Sequence, residues 1–180
     1  MTPLILLPGL LHDHRLWTHQ AAALADIATI SVPDLTQDDH LDAMAMRVLA
    51  NAPARFALAG LSMGGYVAMA IHRLAPERVE RLALLDTTAR PDTPEQTERR
   101  LEAIRVAKAG GFSKIMPSML PMLVHPDRLR DEAITGLAKE MAAAVGPDGF
   151  ERQQTAWCSP PSATRNTCPL DILRSITLHT

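Results

Sequence analysis

The segment Gly60-Leu61-Ser62-Met63-Gly64-Gly65 constrains this chain more than any other stretch. It follows a short apolar run, Phe56 to Ala59, and precedes helical periodicity from Tyr66 to Leu74. A strand that turns at once into a helix needs a sharp corner. Gly60, Ser62 and Gly64 fit the G-x-S-x-G pattern in which such a corner lifts a serine hydroxyl clear of the backbone. The serine is expected in a strained conformation, and a Cβ two residues to either side would strike the neighbouring strand or helix. The pattern alone fixes three small residues, so it leaves two readings open: a nucleophilic serine, or a structural glycine-rich turn.

The rest of the first half sets that corner in a repeating frame. Leu4 to Leu7 is an apolar run without alternation, as a strand buried on both faces requires, and Pro8-Gly9-Leu10-Leu11 ends it in a tight turn. Asp13 is placed to cap a helix through Leu16, Trp17, Ala21, Leu24 and Ala25. Ile27 to Val32 reads as a second strand, and Leu41, Met44, Ala45, Val48 and Leu49 mark a second helical face. Val79 to Leu85 is a fourth strand, closed by Asp86-Thr87-Thr88. The order β-α-β-α-β-α-β predicts a parallel sheet with right-handed crossovers and helices on both faces. Ligand sites in such sheets lie beyond the carboxyl ends of the strands, where Gly9 to His12, Ser62 and Asp86 all fall.

From Pro91 the alternation stops. Helical segments follow over Glu95 to Ala109, Phe112 to Met122 and Asp127 to Val145, broken at Gly110-Gly111, Pro121, Pro126 and Gly146-Pro147. They read as a helical insertion over the site. Met116, Met119, Met122 and Met141 either line an adaptable apolar pocket there or, the favoured reading, pack the insertion's own core. After Trp157 the chain has no periodicity apart from one short run, Ile172 to Leu178. The organisation expected is therefore a core over 1–90, a cap insertion over 91–156 and an irregular tail over 157–180.

Composition narrows the partners. Hydrophobic residues make up 47% of the 180, enough for a real core, while a net charge of −2 and 3% aromatics argue against nucleic acid. The apolar start, Met1 to Leu11, lacks a basic leader and contains Pro3, Pro8 and Gly9, so it reads as strand and turn and not as a signal peptide. No apolar run reaches the ~20 residues that span a bilayer. Cys158 and Cys168 show no zinc-ligand spacing, and a reduced, cytoplasmic protein is the expectation.

Three motifs together resemble the α/β-hydrolase superfamily, in its small, cofactor-free esterase and lactonase-like branch. They are Leu6-Leu7-Pro8-Gly9-Leu10-Leu11 with Trp17 beyond, the turn at Ser62, and Leu74-Ala75-Pro76-Glu77-Arg78-Val79 leading into Leu82 to Leu85. The resemblance covers about residues 2 to 156, and the tail over 157–180 is expected to be unlike the family. It implies an α/β-hydrolase-type parallel sheet flanked by helices with a helical cap, no cofactor or metal, and a small-molecule acyl substrate. It implies Ser62 as nucleophile toward a small ester, thioester or lactone, forming an acyl-enzyme, with the backbone N–H groups of Leu10 and Met63 as the oxyanion hole. Pro8 stands where the family usually has histidine, a position that shapes the loop without donating to the oxyanion.

The family orders its triad Ser, then Asp or Glu, then His, with the last two on strands beyond the insertion. No segment here resembles those, which leads us to expect a core incomplete at its C-terminal end, a truncated or frame-shifted product. Two alternatives follow from the same fold: an inactive hydrolase, or a small-molecule binding protein. Asp86 is a candidate acid, although a turn-starting aspartate is the favoured reading. The base is unknown. His12 lies in the oxyanion loop but precedes the serine; His14, His19 and His40 read as solvated, His72 as pointing away, and His125 as surface. His179 has the expected chain order without a Gly-His context. An incomplete sheet would leave an open edge through which copies could self-associate.

Overall fold

The computed structural model describes residues 1–158. Four strands, β1 (Thr2–Leu7), β2 (Ala28–Ser31), β3 (Phe56–Leu61) and β4 (Val79–Leu85), form one sheet in the order β2-β1-β3-β4, with every neighbouring pair parallel. Helices α1 (Thr18–Leu24), α2 (Leu41–Asn51) and α3 (Met63–Leu74) make the crossovers. The expected strand-helix alternation is present. Asp13 does cap, but its carboxylate receives the Arg15 N–H at the start of a 3-10 turn, His14–Trp17, which then leads into α1.

Side chains of β1 divide cleanly between the two faces. Ile5 and Leu7 join the large core with Met44, Val48, Phe56, Leu58, Val67 and Ile71, so α2 and α3 cover one face. Leu4 and Leu6 turn the other way, against Trp17, Ala59 and Ile30. A strand covered on both sides has no reason to alternate polar with apolar, which explains the unbroken run in the sequence. Register then aligns the carboxyl ends. Leu7 pairs with Gly60, and Gly60 with Leu84, so the chain leaves β1, β3 and β4 at one edge of the sheet.

Beyond β4 the chain is helical: α4 (Pro94–Val106), α5 (Ile115–Leu123) and α6 (Glu132–Cys158). The start of α4 follows from Thr93-Pro94-Glu95-Gln96. The Thr93 hydroxyl accepts from the Gln96 N–H at 3.3 Å, and the Gln96 side chain accepts from the Thr93 N–H at 2.8 Å. Gly110 (φ 86°) turns the chain between α4 and α5, and Gly146 (φ 71°) kinks α6. The break expected at Gly146-Pro147 is therefore real, but helix resumes beyond it and runs to Cys158, whereas no helix is read from the sequence after Val145. The first half of α6 also starts at Glu132, later than the expected Asp127, because Pro126–Arg128 form a separate 3-10 turn.

The methionines are packing residues for the most part, but the core that Met116 and Met119 join is the one shared with the sheet and not one of the insertion's own. Met116 and Met141 are buried and Met119 packs against the same core, while Met122 is exposed. The tail expected to be irregular begins as helix instead, since Trp157 and Cys158 close α6; its remainder, with Ile172 to Leu178, Cys168 and His179, lies outside the described residues. Among the described residues no helix is long and apolar enough to cross a membrane.

Candidate active site

Ser62 sits between β3 and α3 with φ 51° and ψ −113°, a backbone conformation that side chains other than glycine rarely adopt. Three hydrogen bonds hold it there. Its N–H donates to the Leu85 carbonyl at 2.9 Å, and its own carbonyl accepts from the Gly65 N–H and the Thr87 hydroxyl, each at 2.9 Å. The flanking glycines are dictated by backbone contact. A Cβ on Gly60 would lie 2.3 Å from the Gly64 carbonyl oxygen, and one on Gly64 would lie 2.3 Å from the Leu7 carbonyl oxygen. The close approach expected from the sequence is thus a strand-to-helix contact in one case and a helix-to-β1 contact in the other.

Packing α3 onto the end of β1 brings the loop after β1 to Ser62. A Gly9 Cβ would stand 3.7 Å from both the Ser62 Cβ and the His12 Nδ1. Leu10 follows Gly9, and no hydrogen bond from its N–H is formed within the described residues. The Met63 N–H opens α3, where the first turn has no intrahelical acceptor. Both N–H groups are thus unengaged among the described residues, one on Met63 directly after the serine and one on Leu10 directly after Gly9. The Leu10–Leu11 peptide itself is tightly held. His12 Nδ1 donates to the Leu10 carbonyl at 2.6 Å, and the Leu11 N–H donates to Gln153 Oε1 at 3.0 Å. Leu11 takes φ 61° at this point. Burial lowers the pKa of His12 below its usual 6.5, outweighing the Leu10 carbonyl and Asp13, so the imidazole is neutral at pH 7 with its proton on Nδ1.

On the other side of Ser62 opens a cleft of about 530 Å³, lined by Tyr66, Asp86, Thr87, Thr88, Arg90, Asp92, Arg100 and Trp157 among others. Asp86 is there as the sheet order requires, exposed, and at φ 43°. Its carboxylate makes no hydrogen bond to local backbone among the described residues. Arg100 forms one wall: its guanidinium stacks 3.6 Å above the Trp157 ring and is hydrogen-bonded to Asp92 and Gln154. Tyr66 meets the same Trp157, ring centroids 4.8 Å apart.

Sequence reasoning missed Tyr66, Arg100, Gln153 and Trp157. Arg100 and Trp157 are 57 positions apart and sit on different helices, so only the fold of the cap brings them together. Among the histidines, His14, His19, His40 and His125 are exposed, as expected. His72 lies on α3 with a buried, unpartnered Nδ1, and burial lowers its pKa. No hydrogen bond reaches the Ser62 hydroxyl from any described residue, and no group of three or more His, Cys, Asp or Glu among them is arranged to hold a metal ion.

The model of the alpha/beta hydrolase family matches residues 4–177, a span that continues past the described residues. Among solved structures, a thermophilic esterase from Thermogutta terrifontis is 30% identical, with a TM-score of 0.79, covering 91% of this chain and 66% of its own. An enol-lactonase from Burkholderia xenovorans is 23% identical, with a TM-score of 0.75 over 88% of this chain and 66% of its own. A hydrolase from Pseudomonas aeruginosa is 24% identical, with a TM-score of 0.76 over 89% of this chain and 65% of its own. The chain thus spans just under two thirds of the length of these proteins. No curated protein matched it. With the turn at Ser62, the parallel sheet and the family match in agreement, the chain belongs to the alpha/beta hydrolase family.

Proposed function

We propose that the chain carries the nucleophile and oxyanion hole of a serine hydrolase acting on a small ester, thioester or lactone. The observation that supports this reading is the strained corner at Ser62, followed by the unengaged Met63 N–H and approached by Gly9, the residue before Leu10. In the first step the Ser62 Oγ attacks the substrate carbonyl and its proton passes to a base. The carbonyl π pair moves to oxygen, and that oxyanion accepts from Leu10 and Met63, each donor contributing about 3 kcal/mol in comparable sites. Collapse expels the alcohol or thiol, or opens the lactone, and water then cleaves the acyl-enzyme. The esterase and lactonase similarities support this substrate class. Asp86, in the same cleft, is the candidate acid; the base is not assigned.

A second reading, a binding protein that keeps the cleft without turnover, draws on the Ser62 hydroxyl's lack of a hydrogen-bonded partner among the described residues. Labelling of the folded 180-residue chain with a fluorophosphonate, beside Ser62→Ala, separates the two. Attachment that requires Ser62 is expected. A folded chain that stays unlabelled while still binding small acyl compounds would establish the second reading instead.

A further inference from the structure

Gln153 is the most thoroughly buried polar side chain described, at 0% exposure, and it belongs to α6 in the cap and not to the sheet. An amide with no access to water must find partners for both its ends. Gln153 finds them on two different loops of the core. Its Oε1 accepts the Leu11 N–H at 3.0 Å and its Nε2 donates to the Leu35 carbonyl at 3.4 Å. Only this orientation of the amide matches an N–H on one side and a carbonyl on the other, so its direction is fixed by its partners.

The Leu11 N–H belongs to the peptide unit whose carbonyl is the Leu10 oxygen, and His12 Nδ1 donates to that oxygen at 2.6 Å. One peptide plane is therefore gripped at both ends, by His12 from its own loop and by Gln153 from the cap. The grip falls where Leu11 adopts φ 61°, a conformation a leucine would leave if released. Releasing that plane would free ψ of Leu10 and φ of Leu11 and let the loop shift at Leu10, whose own N–H, in the preceding peptide after Gly9, is the unengaged donor. We propose that Gln153 is a positioning residue: through the Leu10–Leu11 peptide it aims the Leu10 N–H at the oxygen of the Ser62-bound intermediate. This rests on the serine-hydrolase reading. It makes the cap helix, beyond covering the cleft, part of the support of the oxyanion hole.

The preceding residue, Arg152, supplies the contrast. Arg152 also ties α6 to the core, its Nε donating to the Thr36 carbonyl at 2.6 Å, beside the Leu35 carbonyl that Gln153 holds, but it makes no hydrogen bond to the Leu10–Leu11 peptide among the described residues. Saturation kinetics of fluorophosphonate labelling would be compared for the unaltered chain, Gln153→Met, Gln153→Glu and Arg152→Met, with amide hydrogen exchange at Leu10 and Leu11. In the unaltered chain the Leu11 amide should exchange more slowly than the Leu10 amide. Gln153→Met, similar in volume but unable to accept a strong hydrogen bond, should erase that protection. It should also lower the limiting labelling rate at least tenfold, with the half-saturating probe concentration unchanged. Gln153→Glu keeps an oxygen for the Leu11 N–H and should recover at least a third of the rate, while Arg152→Met should stay within threefold of it. Labelling at the unaltered rate in Gln153→Met, or a Leu11 amide that exchanges as fast as Leu10 in the unaltered chain, would overturn the inference. Failure of the serine-hydrolase reading looks different, because the unaltered chain itself would then not label; the positioning role would fall with it.

Discussion

Gly64→Ala tests the physical reason for the whole corner. The added Cβ would stand 2.3 Å from the Leu7 oxygen, 2.7 Å from the Leu7 carbon and 2.7 Å from the Pro8 oxygen, all backbone atoms. No side chain can swing aside. Reaching even 3.0 Å from the Leu7 oxygen requires the start of α3 to move from the end of β1 by about 0.7 Å. Overpacking of that kind costs about 1–3 kcal/mol, and here the upper part of the range is expected because Leu7 and Met63 are both fully buried. The displacement also separates Met63 from Leu10, the two donors proposed to act together. A misplacement of about 1 Å can cost on the order of 100-fold in rate, so the labelling of Ser62 should fall by roughly 10- to 100-fold. Urea denaturation reports the first quantity and fluorophosphonate labelling the second. Gly9→Ala is the internal comparison: its Cβ would meet nothing nearer than 3.5 Å, and its stability should change by less than about 0.5 kcal/mol. If Gly64→Ala matched the unaltered chain in urea midpoint and labelled within threefold of it, close helix-to-strand approach would not be the reason for that glycine.

Relief of strain gives the opposite sign at the next position. Ser62→Gly should abolish labelling yet raise stability by about 1 kcal/mol, because φ 51° costs serine of order 1–3 kcal/mol, and the extra freedom of unfolded glycine returns only part of it; a higher urea midpoint at unchanged slope would show this. Thr87→Val deletes the hydroxyl that donates to the Ser62 carbonyl, and a loss of about 1 kcal/mol is expected, with Thr87→Ser retaining most of the stability in the same melts. His72 is held neutral by burial, with its folded pKa below the ordinary 6.5, so the stability it permits is complete above pH 6.5 and is lost as pH falls through the folded value. His72→Leu should therefore gain on the unaltered chain as pH is lowered from 7.5 to 5; a constant difference in urea midpoint across that range would contradict the assignment.

How much of this was legible in the sequence depended on the range of the interaction. The corner at Ser62 could be read because Gly60 and Gly64 clash with atoms that any strand-to-helix turn brings near: Gly64 itself in one case and the end of a neighbouring parallel strand in the other. β1 and β3 could be read because burial on both faces leaves an unbroken apolar run. Helix after Pro147 was not legible. Its periodicity is obscured by Gln153 and Gln154, both buried polar residues whose partners are Leu11, Leu35 and Arg100. A buried glutamine looks like a surface residue until its partners are known, and here they lie up to 142 positions away. The stacking of Arg100 on Trp157 was hidden for the same reason.

Among the described residues, the three non-glycine residues with positive φ are Leu11, Ser62 and Asp86, and each follows the carboxyl end of a different strand: β1, β3 and β4. Strain of this kind persists only where surrounding contacts over-determine the backbone. Ser62 has the Leu85, Gly65 and Thr87 bonds, and Leu11 has Gln153 with His12 gripping the preceding carbonyl. Asp86 follows Leu85, whose carbonyl is committed to the Ser62 N–H, so its conformation is coupled to the corner itself. A parallel sheet delivers its chain ends to one edge but does not aim them. The aim comes from local strain, and the groups that hold it are drawn from everywhere else: a threonine beyond β4, a histidine in the first loop, a glutamine in the cap. Removing the support should therefore damage the site before it damages the fold, which is why the paired readouts of stability and Ser62 labelling are the decisive form of experiment for this chain.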